Sequence, residues 1–427
     1  MKSCLENCLS NVPKARGEFS ESRTNQKCRT LHLGNTKQAG LHLRHIHSSY
    51  TDSKRSAHSL NLYSPNLEFS ILRNLSHMIY LIHTKTVQRR LAIMNYPFHV
   101  RDIHISDPFI LADEATHKYY TYAAVFNRDR YPELFQKGRF YALVSEDLVH
   151  WSDPILVFEK KDFWADEDYW APECHIWKGR YYLISSFRAA GRYRKCQCLV
   201  ADSPLGPFEP VRQEALTPSD WQSLDGTLYE DRKGNPWLVF CHEWLQVGDG
   251  QIAAMPISED LGKALEEPKI LFRASDAPWG DRFVSKEKAG GGFVTDGPFL
   301  YRMQDNSLLM LWSTFTSTGY AVGYAKSLSG EIDGPWEQRP NPLYFHDGGH
   351  AMLFRTFEGK LMMSLHCPND HPKKRMLLFE MEEKAGELYI RNEITGNWYD
   401  RGAGCMKGYA YSCPCEEEIR IQGYAAF

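Results

Sequence analysis

Five residues at similar places along the chain carry groups able to move protons: Asp107, Glu173, Asp225, Asp296 and His350. Each stands where a short polar segment gives way to an apolar run, in "SDPFIL", "WAPECHIW", "LDGTLY", "TDGPFLY" and "GGHAMLF". A sixth, Glu243, ends the apolar run "WLVFCHEW", between His242 and Trp244. Carboxylates gathered in one place push each other's pKa values apart, so that one stays protonated while another stays ionised. An acid and a base can then work on one bond. Glycosidic cleavage is the chemistry that most needs such a pair.

The elements that must position these groups repeat five times. Each unit has a small polar or acidic opening, an apolar strand, a polar turn, an aromatic-rich strand and later a third strand, as in "LDGTLYEDRKGNPWLVFCHE" followed by "QIAAMPISEDL". The turns at Lys178-Gly179, Lys233-Gly234 and Glu358-Gly359 suit antiparallel strands joined by a short loop. A meander repeated five times without alternating helices excludes a parallel α/β fold and predicts an all-β, five-bladed β-propeller. In a propeller the first strand of each blade lines the channel, which brings the five opening residues to one mouth. Glu243, at the end of the second strand of blade three, arrives near the same mouth as Asp225. Trp164, Tyr169, Trp170, Trp221 and Trp244 could stack on sugar rings there, although each taken singly is more often core.

These stretches resemble glycoside hydrolase family 43 over about residues 100–385, on "ISDPFIL", "DYWAPECHIWKGRYYLI", "LDGTLYEDRKGNPWLVF", "HEW" and "GGHAMLFRTFEG" in that order. The resemblance implies a five-bladed propeller enzyme that inverts the anomeric centre. It makes Asp107 the base, Asp225 the modulator of pKa and position, and Glu243 the acid. It places Glu173 in the substrate pocket, as a substrate contact first and a rival for a catalytic role; Trp170, Trp244 and Asp296, from their expected place at the mouth, are further candidate substrate contacts. His350 matches a channel histidine that helps hold a calcium ion or ordered water; calcium takes oxygen donors, so a role through water is expected and no cofactor is required. The departures are Cys174 after Trp-Ala-Pro-Glu and Ala351 where relatives carry Gly. An inverting pair is separated by ~6.5–9.5 Å to admit a water. The first expectation of substrate, from the resemblance alone, is arabinofuranosyl or xylosyl residues of plant-wall oligosaccharides; cleavage from chain ends is expected because the missing secretory pattern suggests a cytoplasmic enzyme acting on imported oligosaccharides. A galactosyl or fructosyl specificity and a catalytically inactive carbohydrate-binding propeller are the alternatives. The latter would have no use for a facing base and acid.

Other chemistries find less support. "HEWLQ" has Gln246 where the second histidine of H-E-x-x-H belongs, and no intact G-x-S-x-G, phosphate-cradling or dinucleotide-binding loop is present. "KAGGGF" reads as a loop or lid at the mouth. Charge divides the 427-residue chain. Residues 1–93 hold 14 Lys+Arg against 5 Asp+Glu, the rest 36 against 48, and all 11 Trp lie in the second part. The expected organisation is a basic, disordered or non-native extension over 1–93, a propeller over 94–395 and a tail over 396–427, with Met94 as the native start. No nucleic-acid recognition motif accompanies the basic arm, and "ILRNLSHMIYLIH" is too short and polar to span a membrane. The eleven cysteines are odd in number, and no secretory pattern is seen. Free thiols are therefore expected, Cys405, Cys413 and Cys415 included, in a cytoplasmic enzyme. The oligomeric state is left open.

Overall fold

The structure, a computed structural model, describes residues 95–127, 131–132 and 137–395. The expected extension 1–93, Met94, the tail 396–427 and the six cysteines they contain lie outside these residues.

The described residues form five antiparallel sheets in chain order. Blade one is built on Ile110–Asp113, Lys118–Ala123 and Arg139–Ser145. Its outer edge carries Ile155–Glu159, and His150–Trp151 with Phe98–His99 paired to it. Blade two runs from Glu167–Trp177 through Arg180–Arg188 and Lys195–Ala201 to Glu209–Pro210. Blade three comprises Ser223–Glu230, Pro236–His242, Gln251–Pro256 and Lys269–Arg273. Blade four comprises Asp296–Arg302, Leu308–Thr316, Gly319–Ser327 and Trp336–Gln338. Blade five comprises Gly349–Arg355, Leu361–Cys367, Arg375–Lys384 and Glu387–Glu393. The first strands touch one another around a closed ring, the last against the first.

Each sheet is buried on both faces, so its central strands read as nearly unbroken apolar runs rather than alternating ones. The wedges between sheets hold five hydrophobic clusters, one per seam. Phe140 and Phe187 meet between blades one and two, and Ile184 and Phe240 between two and three. Val239 and Trp312 meet between three and four, and Leu311 and Phe379 between four and five. The ring closes where Phe98, Ile103 and Trp151 pack on Met376 and Leu378. Each such side chain contributes about 1.5–3 kcal/mol on burial. At the Lys178-Gly179 turn both residues have positive φ, 48° and 77°, as the two-residue hairpin turn matching strand twist requires. Among the described residues no helix is long and apolar enough to cross a membrane, and Cys174, Cys196, Cys198, Cys241 and Cys367 are buried free thiols.

Candidate active site

One backbone device recurs at the start of every blade. Asp107, Ala171, Asp225, Gly297 and His350 have left-handed φ of 52°, 44°, 53°, 51° and 56°. In blades two to five the ladder shifts register across this point, the mark of a bulge. These five are the equivalent positions of the blades. Of the residues read from the sequence as equivalent, Asp296 stands one place before its blade's left-handed residue and Glu173 two places after.

A bulged residue loses its ladder partner, and its buried N–H must find another acceptor. The acceptor comes from the preceding blade. Asp225 N–H donates to Ser186 Oγ at 2.9 Å and His350 N–H to Ser313 Oγ at 2.8 Å. Asp107 N–H donates to His366 Nδ1 at 3.2 Å, and Gly297 N–H to the Asp225 carboxylate at 3.0 Å. A Cβ at residue 297 would lie 2.8 Å from the His350 ring, so glycine there serves both φ and packing.

The result is a cavity of about 350 Å³ whose lining includes Asp107, Trp170, Asp225, Asp296, Tyr320 and His350. His350 Nδ1 lies 3.3 Å from Asp107 and 3.8 Å from Asp225. Burial alone would lower the His350 pKa, but the carboxylates of Asp107, Asp225 and Asp296 outweigh it and raise the value. Burial would raise Asp107, yet the His350 imidazolium beside it holds this carboxyl far below the ordinary range. Asp225 is pushed up to about 6 by burial, with the Asp107 charge adding to the rise. Asp296 is pushed up to about 7, again by burial and then by the charge of Asp225. Tyr320 O–H donates to Asp296 Oδ2 at 3.0 Å. His366 is lowered to about 4 by burial and Lys374. Its Nδ1 lies 3.2 Å from Asp107 N and 3.1 Å from Asp107 Oδ1, and its Nε2 lies 3.1 Å from Asn369 Oδ1. The cavity thus holds one firmly ionised carboxylate and two that resist ionisation.

Glu243 is not among the residues lining this cavity. It is buried, ion-paired with Arg194 and accepts from Gln222 Nε2 at 2.7 Å. Arg194 also pairs with Asp168 at 2.9 Å and lies 3.9 Å from the Trp170 ring centre. Trp170 is 44% exposed and presents a free face. Trp244 does not. It is buried against Phe283, while Lys288 Nζ donates to its carbonyl at 2.9 Å. The Gly-rich stretch read as a lid folds back on itself there, Phe283 pairing with Gly292. Glu173 is buried, 3.0 Å from His175 Nε2, and acts on His350 only through its charge. The sequence reading missed Tyr320, Arg194 and His366. His366 had a signal, because it ends the second strand of blade five much as His242 and Glu243 end that of blade three.

His350 directs Nδ1 at Asp107 with a raised pKa, and Asp225 accepts from Gly297. Among the described residues no group of three or more His, Cys, Asp or Glu is arranged to hold a metal.

Comparison with known proteins bears on the family. The chain is 42% identical to a crystallised endo-arabinase from Bacteroides thetaiotaomicron; the likeness covers 69% of this chain and 99% of that one, with a TM-score of 0.63. It is 23% identical over 259 residues to an extracellular exo-α-(1→5)-L-arabinofuranosidase of Cellvibrio japonicus, covering 52% of this chain and 71% of that enzyme. It is 21% identical over 153 residues to an extracellular endo-α-(1→5)-L-arabinanase of Bacillus subtilis, covering 31% of this chain and only 47% of that enzyme. The expectation of a cytoplasmic enzyme does not stand, since both of these curated relatives are extracellular by name. Residues 100–383 match Glycosyl hydrolases family 43, and the chain, a five-bladed propeller with three aspartates lining one cavity, belongs to that family and is a glycoside hydrolase.

Proposed function

We propose that the enzyme hydrolyses α-arabinofuranosyl linkages of arabinan-type oligosaccharides with inversion, Asp107 acting as base, Asp225 as modulator and Asp296 as acid. The sugar is supported by the arabinanase and arabinofuranosidase relatives. The expectation of cleavage from chain ends rested on a cytoplasmic location and loses its basis. The assignment of the acid rests on one observation: Asp296 lies in the cavity with Asp107, and burial with the charge of Asp225 pushes its carboxyl up to about 7, so that a share of it carries a proton near neutral pH. Glu243, the acid expected from the sequence, is ion-paired with Arg194 and does not line that cavity.

Water attacks the anomeric carbon while its proton passes to Asp107. The glycosidic oxygen leaves with the proton from Asp296. A carboxylate held as low as Asp107 is a weak base, which suffices because water becomes acidic as it bonds to an oxocarbenium-like centre. Asp225, ionised less readily, raises the Asp296 pKa by its charge. Trp170 offers an exposed ring for sugar stacking, and its Arg194 neighbour holds it from the other side.

The test compares three variants on linear arabinan and on 4-nitrophenyl α-arabinofuranoside. Asp107→Asn lowers turnover of both, and Asp296→Asn lowers turnover of arabinan, by about 10²–10⁴-fold. The Asp296→Asn loss shrinks with the activated phenol, which leaves with little protonation. Glu243→Gln retains the larger part of its rate and shows no such leaving-group dependence. If Glu243→Gln shows that dependence and Asp296→Asn does not, the acid is Glu243.

A further inference from the structure

A second cavity lies on blade two, of about 650 Å³, bounded by Trp164, Tyr193, Lys195, Gln213, Glu214 and Thr217 among others. A short run of residues links its lining to that of the catalytic cavity. Arg194, between Tyr193 and Lys195, lies against Trp170, the exposed ring of the catalytic cavity. Tyr193 is itself 46% exposed, one of the few large apolar side chains presented to solvent. Lys195 is buried, its Nζ held by the carbonyls of Pro218 and Trp221. That anchorage ties the strand start to the 213–221 segment, so the walls are fixed by bonds within the fold. Trp164 Nε1 donates to Gln197 Oε1 at 2.6 Å, and Gln197 in turn donates to the Arg212 carbonyl at 2.6 Å. The aromatic wall is therefore fixed in orientation.

From this we infer a distal subsite that holds a further stretch of the polysaccharide chain, reached from the catalytic cavity across Trp170. A furanose or pyranose ring has apolar C–H faces and an equatorial belt of hydroxyls. The cavity offers matching chemistry: rings at Tyr193 and Trp164 for the faces, and Gln213, Glu214 and Thr217 for the hydroxyls. A site needed only for a terminal sugar would end at the smaller cavity. A distal site adds affinity only for a substrate long enough to occupy both, which favours chains over short oligosaccharides. This inference rests on the carbohydrate reading above but not on the identity of the acid.

The test uses the full chain as an Asp107→Asn variant in native gels cast with linear arabinan, so that binding is read without turnover. Tyr193→Ala in that background weakens retardation by the polysaccharide about tenfold, and Tyr193→Phe, which keeps the ring, restores it. In the otherwise wild-type enzyme, Tyr193→Ala lowers kcat/KM on arabinan about tenfold more than on 4-nitrophenyl α-arabinofuranoside. Equal retardation with and without the Tyr193 ring overturns the subsite. So does an equal loss on both substrates, which would place Tyr193 in the catalytic cavity. Failure of the wild-type enzyme to release any sugar is a separate result and bears on the proposed reaction alone.

Discussion

At the scale of residues, the cavity sorts three aspartates by what lies next to each. Asp107 has an imidazolium beside it and stays ionised; Asp296 has burial and a neighbouring carboxylate, which outweigh the hydroxyl of Tyr320, and resists ionisation. The signs have two consequences. A carboxyl whose folded value is depressed stabilises the fold above its unfolded value of about 3.9 and loses that contribution as pH falls. Asp225 and Asp296, being raised, act oppositely: each opposes folding once pH passes its unfolded value. For activity, kcat/KM falls above about pH 7 as Asp296 gives up its proton. Removing the Asp225 charge with Asp225→Asn takes away part of what raises Asp296, so the alkaline limb moves to lower pH. A pH profile of kcat/KM on arabinan checks this. An alkaline limb that stays in place or moves upward would separate Asp225 from the acid. The carboxyls themselves, and the roles proposed for Asp107 and Asp225, were legible in the sequence; the pairing that turns the proposed acid from Glu243 to Asp296 was not. Glu243 and Arg194 are far apart along the chain, and nothing in "HEW" announces the guanidinium that meets the carboxylate across the blade seam.

At the scale of elements, the blade starts explain both the success and the error of the sequence reading. Apolar runs broken by Gly-containing turns identify the strands, because each sheet is buried on both faces. The offset of one or two residues among the opening positions is hidden, since it depends on where each strand bulges. The bulge in turn depends on an acceptor supplied by another blade. Ser313 is such an acceptor: buried on the second strand of blade four, it receives His350 N–H. Ser313→Ala leaves that buried donor unpaired and costs about 1–3 kcal/mol, read as a lower midpoint in chemical denaturation with an unchanged slope. The variant also loosens His350, so kcat falls along with stability. An unaltered midpoint would mean that the bulge is held by its backbone alone.

At the scale of the whole molecule, the propeller is a ring of five seams, and the last is closed by the chain's own early residues. Phe98–His99 pairs with His150–Trp151 at the edge of blade one, while His104 bridges to Arg375 of blade five. Between them Ile103, wholly buried, packs with Met376 and Leu378. Opening this seam would bare a sheet face on each side. It would also part Asp107, on blade one, from His350 and His366, on blade five. Ile103→Ala should therefore cost about 2–5 kcal/mol and weaken the ring and the cavity together. Denaturation followed by tryptophan fluorescence and by hydrolysis of arabinan is expected to give one coincident transition, at lower denaturant than in the unaltered enzyme. If hydrolysis is lost well before the fluorescence changes, the closing seam opens as an independent unit, and the ring is not one cooperative structure.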